Sequence, residues 1–263
     1  MEKDPHLAEL LSRLSCCAVA SFGHQLVGAY LHGSAAMGCF QWQISDVDCL
    51  IVVDTALTEA QKLHFIRACL ELCPLCPPKG LELSVVTRAV CARPQQESPF
   101  ELHFSPMYAA AYARDAELQL CRMPDTDPDL AAHFAMTRSR GRTLLGPPAD
   151  EIFAPIPREW MLGSLENDLA DAKDGMMGQP VYYVLNYCRA LAFLEQGELL
   201  SKEEGGIWGM ENLPDAYGTL IRDALAAYRE GTLLCAEDYP VCDFVREMSE
   251  RWRQGRGQGV SLV

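Results

Sequence analysis

The sequence predicts an α+β protein of two domains, a mixed sheet with flanking helices followed by an all-helical bundle. Residues 1–150 alternate between short β-branched apolar runs and stretches with helical periodicity, which is typical of a mixed domain. Beyond the proline-rich passage Pro147–Pro157, every periodic stretch has helical spacing. We therefore predict domains at residues 1–150 and 151–263, with the proline-rich passage as their linker.

Local patterns place helices and strands in alternation within the first domain. Apolar residues recur at helical spacing from Leu7 onward, and Thr58 is a suitable N-cap for a second helix. Prolines and glycines separate the β-branched runs, and Pro106 interrupts one of them. The predicted helices are Leu7–Phe22, Thr58–Cys73 and Asp129–Leu145, and the predicted strands are Val27–Leu31, Val47–Val53, Leu81–Thr87 and Phe100–Tyr108.

The second domain carries only helical periodicity, and its final residues, Gly255–Val263, are expected to fray. Turn-forming residues separate its periodic stretches, which indicates a bundle of short helices. The predicted helices are Trp160–Asp174, Val181–Gln196, Ser201–Met210, Ala216–Tyr228 and Asp238–Trp252.

Composition limits the classes of function. The 263 residues are 49% hydrophobic and 22% charged, as in ordinary globular proteins. A formal charge of −14 and a pI near 4.8 argue against nucleic-acid binding, which requires lysine and arginine. The negative field favours a small cationic substrate, or it merely keeps the protein in solution. No apolar stretch approaches the ~20 residues that span a bilayer. We therefore expect no membrane association, and we expect a monomer.

Twelve cysteines raise the question of disulfide bonds. The opening segment Met1–Pro5 lacks the apolar core of a signal peptide, and most cysteines lie within apolar stretches. Cys73 and Cys76 form one CxxC motif, without a second pair at the spacing of a structural zinc site. We therefore expect reduced thiols and a cytoplasmic location.

Three acids and a Gly-Ser pair form the most informative pattern. Asp46 and Asp48 stand two apart at the start of an apolar run, so in a strand their side chains share a face. Two such charges are costly unless a cation, typically a divalent metal, lies between them. Gly33 permits close approach of the backbone to a ligand, and Ser34 supplies a hydroxyl. Glu82 adds a third acid, and burial in its apolar strand would raise its pKa toward that of a useful base. The pattern predicts a metal-assisted phosphate site.

Each of these acids has a simpler explanation when taken alone. The pair Asp46 and Asp48 is also compatible with turn formation or helix capping. Glu82 is also compatible with a charge that protects an edge strand from aggregation. The combination of all three acids with Gly33-Ser34 favours the site.

The same motifs resemble those of a known family. Gly33-Ser34, eleven further residues and then Asp46-Val47-Asp48 resemble the signature of the DNA polymerase β-like nucleotidyltransferase superfamily. Residues 30–38 and 45–48 are similar, more specifically, to the aminoglycoside adenylyltransferases that modify streptomycin and spectinomycin. The similarity continues through residues 81–85, 127–131 and 145–147, and more thinly through 188–191 and 197–202.

The resemblance implies a nucleotidyltransferase domain over residues 1–150 and a helical substrate-binding domain over residues 151–263. It implies transfer of AMP from ATP, with magnesium, to a hydroxyl of an aminoglycoside or aminocyclitol, giving antibiotic resistance. Two alternatives stay open at this point. One is nucleotidyl transfer to a protein side chain or another metabolite, and the other is a nucleotide-binding regulator without catalysis.

The resemblance also implies roles for the residues of the motif. Asp46 and Asp48 would hold the magnesium ions, and Glu82 would complete this acidic set and take the proton of the acceptor hydroxyl. Ser34, next to Gly33, would contact the triphosphate.

Three further residues match positions that contact the nucleotide in the family, so that ATP would lie between the domains. They are Asp129, Arg189 and Lys202. Each has an alternative explanation: Asp129 as a helix cap, Arg189 as a structural ion-pair partner, and Lys202 as a solvated lysine beside the N-cap residue Ser201.

The positions that would contact the acceptor differ from those of streptomycin-modifying relatives. Near Glu101, those relatives carry a tryptophan where this chain has Met107. They also carry an acid where this chain has Gln179, and Tyr182 lies at another expected contact. Because a guanidino sugar needs carboxylates and a stacking face, these differences favour spectinomycin, or another small amino sugar, over streptomycin.

Overall fold

A computed structural model describes residues 4–257, and the chain divides into two compact units after Pro157. The first unit contains the mixed sheet and the second is helical, as the predicted α+β class requires. The division follows the proline-rich passage because Ala149, Ile152 and Phe153 are buried against the sheet of the first unit. Of the tail predicted to fray, residues 258–263 lie outside the described part of the chain.

The first unit contains eight α-helices and seven strands within its described residues. Its helices α1–α8 are Pro5–Phe22, Gly33–Met37, Glu59–Leu72, Arg88–Ala92, Pro106–Arg114, Ala116–Arg122, Leu130–Arg140 and Ala149–Ile152. Its strands β1–β7 are Leu26–His32, Val47–Val53, Leu81–Thr87, Ser98–Pro99, Leu102–Phe104, Thr126–Asp127 and Arg142–Leu145.

Five of these strands form one sheet in the order β5-β3-β2-β1-β7. Strands β2 and β3 run parallel, whereas the other neighbouring pairs are antiparallel. Strands β4 and β6 form a separate two-stranded ribbon. The parallel pair is central and nearly fully buried, which explains its continuous apolar sequence.

The two faces of the sheet separate residues of odd and even number in β2 and β3. On one face, Cys49, Ile51 and Leu83 pack in a core with residues of α1 and α3. On the other, Leu50 and Val52 pack in a second core with residues of α7 and α8. Polar residues occupy this second face toward the N-terminal ends of the same strands, and this difference positions the candidate site.

Two predicted elements of the first unit were wrong. The expected strand Phe100–Tyr108 is a three-residue strand followed by helix α5, because Pro106 occupies the first turn of that helix, where no amide hydrogen is needed. The expected helix Asp129–Leu145 ends at Arg140, and Arg142–Leu145 forms the edge strand β7 beside β1.

The second unit is built around one buried helix. Helices α9–α14 of this unit are Arg158–Leu169, Ala172–Gly175, Pro180–Gln196, Lys202–Asn212, Gly218–Glu230 and Val241–Gly257. Helix α11 has twelve buried residues and packs against α9, α12, α13 and α14. Gly205 and Gly209 allow α12 to lie close, since an added Cβ at either position would crowd Arg189 or Cys188 of α11.

Four of the twelve cysteines contribute to the buried packing, whereas five others are exposed. Cys49, Cys69, Cys91 and Cys188 are buried, and burial raises the pKa of each of these thiols. No disulfide bond joins the twelve cysteines, all of which lie within residues 4–257. Among the same described residues, no helix has both the length and the apolar character that crossing a membrane requires.

Candidate active site

Strand register brings the three acids of the sequence motif together. Asp48 lies directly opposite Glu82 in the parallel pairing of β2 and β3, and Asp46 precedes β2 by one residue. Oxygen atoms from the carboxylates of Asp46, Asp48 and Glu82 all lie within 4.8 Å of one another. All three side chains are partly exposed, so a ligand can reach them.

The junction of β1 and α2 lies against Asp48 of this cluster. His32 pairs with Asp48 across β1 and β2, and Gly33 follows with a φ of +61°. A Cβ atom at position 33 would overlap the Asp48 carboxylate, so only glycine fits here. The hydroxyl of Ser34 is buried and has no hydrogen-bond partner among the described residues. Because buried polar groups are normally hydrogen-bonded, this hydroxyl is suited to form a hydrogen bond with a ligand atom.

The electrostatics of the cluster follow from burial and charge. Burial raises the pKa of Glu82, the nearby carboxylates of Asp46, Asp127 and Asp129 raise it further, and His133 opposes them. The direction agrees with that expected from the apolar neighbours of Glu82 in the sequence. A carboxylate with a raised pKa is a better proton acceptor than an ordinary surface acid.

The acidic set fits a divalent cation. Magnesium is bound by carboxylate and phosphate oxygens and retains several waters, so three carboxylate oxygens within 4.8 Å suffice as protein ligands. Histidine ligands are therefore not required. Two histidines lie close to each other, with the rings of His32 and His133 4.9 Å apart. Burial lowers the pKa of His32 well below its usual value.

A cavity of about 250 Å³ lies beside Glu82. Its lining includes His103, Met107, Asp127 and Asp129. Of these, Met107 is 78% exposed, as a residue that meets a ligand at the edge of a site would be.

Asp129 lies at the start of α7, yet its side chain makes no capping hydrogen bond there. Its amide N–H donates to the Asp127 carboxylate at 2.8 Å, and its carbonyl accepts from the amide of His133. The capping explanation that the sequence allowed for the Asp129 side chain therefore does not hold.

In the second unit, Arg189 and Lys202 are each engaged by neighbouring side chains. Arg189 donates to Asp168 at 2.7 Å, while its Nε atom is buried without a hydrogen-bond partner among the described residues. The ammonium of Lys202 lies 4.8 Å from the centre of the Tyr182 ring, a cation–π contact. Gln179 precedes α11 and makes no capping hydrogen bond with its side chain. Both cations therefore have structural contacts of their own.

Comparison with known proteins gives matches over both units. Residues 151–251 match the family described as "Aminoglycoside adenylyltransferase, C-terminal domain". Spectinomycin 9-adenylyltransferase of Staphylococcus aureus is 26% identical over 212 residues, covering 79% of this chain and 80% of the relative. Aminoglycoside (3'') (9) adenylyltransferase of Klebsiella pneumoniae is 27% identical over 210 residues, covering 77% of this chain and 78% of the relative. The chain is thus similar to aminoglycoside adenylyltransferases over most of its length.

A solved structure shares the fold. The crystal structure of spectinomycin adenyltransferase AAD(9) from Enterococcus faecialis, with ATP and spectinomycin, matches 94% of this chain and 99% of its own with a TM-score of 0.75. The sequence identity is 17%. The fold class and the family resemblance that the sequence motifs indicated are confirmed.

The structure places one predicted acceptor contact away from the cavity beside Glu82. The carboxylate of Glu101 accepts the amide N–H of Leu57 at 3.0 Å and forms an ion pair with Lys62 at 3.1 Å. Glu101 does not line the cavity beside Glu82, and its side chain instead joins β5 to the start of α3. The Glu101 carboxylate is therefore engaged within the fold and lies away from the cavity beside Glu82.

Sequence reasoning missed Ser84, His103 and His133, of which His103 lines the cavity beside Glu82. Ser84 and His103 form a hydrogen bond at 3.0 Å on paired strands, and His133 lies on α7 one helical turn after Asp129. Ser84 could have been found from the sequence, because residues two apart in a strand share a face and its side chain therefore points to the same face as that of Glu82. His103 and His133 have no comparable local signal, because their positions depend on long-range pairing and packing.

Proposed function

We propose that this protein transfers AMP from ATP, with magnesium, to a hydroxyl of an aminocyclitol or aminoglycoside antibiotic. The observation that carries the proposal is the convergence of carboxylate oxygens from Asp46, Asp48 and Glu82 within 4.8 Å, beside Gly33. The relatives named as adenylyltransferases support the reaction class, and the neighbour solved with ATP and spectinomycin supports the substrates.

The reaction is a displacement at the α-phosphorus of ATP. The acceptor oxygen forms a bond to this phosphorus, the bond to pyrophosphate breaks, and the hydroxyl proton passes to Glu82. Divalent cations held by Asp46, Asp48 and Glu82 would offset charge on the attacking and leaving oxygens. The Ser34 hydroxyl, which has no hydrogen-bond partner among the described residues, is suited to donate a hydrogen bond to a phosphate oxygen of the nucleotide.

Asp129, Arg189 and Lys202 are proposed to bind the nucleotide. The buried Nε of Arg189 retains hydrogen-bonding capacity that Asp168 does not use, which supports a ligand contact. The Lys202 ammonium is held over Tyr182 and can neutralise the charge that leaves with pyrophosphate.

Spectinomycin is the proposed acceptor, in preference to streptomycin. Met107 and Gln179 provide neither an aromatic face nor a carboxylate for a guanidino sugar. Tyr182 is proposed as a further contact to the antibiotic. The overall charge of −14 favours the approach of a cationic acceptor.

The test uses the purified full-length chain with ATP, magnesium and a panel of spectinomycin, streptomycin and other amino sugars. Pyrophosphate release should require all three components, and mass spectrometry should detect an AMP adduct of the antibiotic. Expression in a sensitive bacterium should raise the inhibitory concentration of spectinomycin more than that of streptomycin. Normal ATP binding without turnover across the panel would reject this acceptor class, and self-labelling by radioactive ATP would favour a protein acceptor.

A further inference from the structure

The cavity beside Glu82 has a chemical character of its own. Three carboxylates, from Glu82, Asp127 and Asp129, contribute to its lining. Its lining residues, all within the described part of the chain, include neither lysine nor arginine. A neutral or cationic molecule rich in oxygen and nitrogen would not be repelled by these side chains.

His103 is held rigidly at this cavity. Its Nδ1 atom lies 3.0 Å from the Ser84 hydroxyl, because the two residues are paired across β3 and β5. Its ring packs against those of Phe100 and Tyr108, with centroid distances of 6.1 and 5.9 Å. Ser84 is two residues from Glu82, so the imidazole projects from the same face of the sheet as the Glu82 carboxylate.

The hydrogen bond to Ser84 determines which nitrogen of His103 carries the proton. Ser84 is 2% exposed, and His103 Nδ1 is the one hydrogen-bond partner of its hydroxyl among residues 4–257. If Nδ1 carried a hydrogen and donated it, the buried Ser84 hydrogen would have no acceptor, which is costly. The hydroxyl therefore donates to Nδ1 and the imidazole proton resides on Nε2. Burial lowers the pKa of His103, which favours this neutral form.

We propose that this cavity receives the acceptor and that the Nε2–H group of His103 donates a hydrogen bond to one of its oxygen atoms. The inference rests on the proposed function and adds to it a residue that selects and orients the acceptor. The ligand class is a polyol or amino sugar that presents a hydroxyl, ether or carbonyl oxygen to His103 while its reacting hydroxyl meets Glu82. Because Ser84 engages Nδ1, Nε2 is the ring nitrogen that would donate to this oxygen.

Two substitutions at the same position test the role. The side-chain amide of His103→Gln retains an N–H donor near the position of Nε2, whereas His103→Leu fills a similar volume without a donor. With spectinomycin as acceptor, His103→Leu should raise its KM about tenfold, the value of one hydrogen bond, and leave the KM for ATP unchanged. His103→Gln should restore most of the affinity. An unchanged spectinomycin KM in His103→Leu, or an equal rise in the ATP KM, would overturn the inference.

A measurement without turnover separates this inference from the proposed function. Nitrogen-15 spectra of the histidine-labelled full-length chain should show the Nε2–H tautomer at His103, and Ser84→Ala should abolish that preference. Saturating spectinomycin should shift the His103 resonances. Absence of that shift would refute the role of His103 even in an enzyme that adenylylates the drug, whereas a shift without AMP transfer would instead contradict the proposed reaction.

Discussion

The two units hold their candidate functional groups in different ways. In the first unit, the backbone register of β2 and β3 places Asp48 opposite Glu82, so the main chain fixes the positions from which these two side chains project. In the second unit, Arg189 and Lys202 extend from helices and meet Asp168 and the ring of Tyr182 through flexible side chains. The acidic cluster is therefore preorganised by the main chain, whereas the positions of the two cations depend on contacts between side chains.

Removal of the Glu82 charge should have the largest effect. Glu82→Gln preserves the shape of the side chain but cannot take the proton from the hydroxyl of the antibiotic. We expect a fall in kcat of at least ~10²-fold with ATP binding retained. Pyrophosphate release and calorimetric titration with ATP measure the two quantities. Glu101→Gln is the matched control, since that carboxylate is used by Lys62 and Leu57 and its loss should leave kcat nearly unchanged. Wild-type turnover in Glu82→Gln would remove the proposed base.

The next effect tests whether the backbone sets the geometry of the acids. Gly33→Ala places a methyl group against the Asp48 carboxylate at a φ of +61°, and a displaced carboxylate should cost about 10²-fold in kcat/KM. Gly38→Ala is a matched control, because Gly38 has a φ of +81° but open space around its Cβ position. Both variants should lose stability in thermal melts, whereas only Gly33→Ala should lose activity. Equal activity losses would mean that strain, and not the contact with Asp48, is responsible.

A smaller effect is expected in the second unit. Arg189→Gln removes a charge proposed to contact the nucleotide and should raise the KM for ATP about tenfold, with little change in the KM for spectinomycin. Arg251→Gln serves as the control. Arg251 forms an ion pair with Glu195 at 2.6 Å, similar in length to that of Arg189, but it is not proposed to contact any ligand. If Arg189→Gln behaves like Arg251→Gln, the ion pair with Asp168 is purely structural.

The sequence predicted the central strands best. The bounds Val47–Val53 and Leu81–Thr87 are those observed, because a buried parallel pair requires β-branched residues on both faces. The edge strand Arg142–Leu145 was missed, since its pairing with β1 joins residues more than a hundred positions apart and leaves no local pattern. Local periodicity therefore predicted the middle of the sheet and not its edge.

The same distinction applies to the candidate site. Asp46, Asp48 and Glu82 were identifiable because strand period and spacing place side chains on one face. His103 was not, because its role depends on the pairing of β3 with β5. Glu101 was predicted as a substrate contact, whereas in the structure its carboxylate forms an ion pair with Lys62 on α3. Charged residues thus reveal a site from sequence only when the backbone alone fixes their direction.

The smallest effect concerns stability without metal. The pKa of Glu82 is raised above its usual value of 4.5 in the folded protein, mainly by burial. The folded state therefore binds this proton more readily than the unfolded state, and its stability falls as pH rises through the interval between the two pKa values. In chelator, Glu82→Gln should melt at a higher temperature than the wild type at pH 7, and the difference should vanish near pH 4. Magnesium should then stabilise the wild type more than the variant, because the carboxylate contributes a ligand. Equal responses to magnesium would place Glu82 outside the metal site while leaving its role as a base intact.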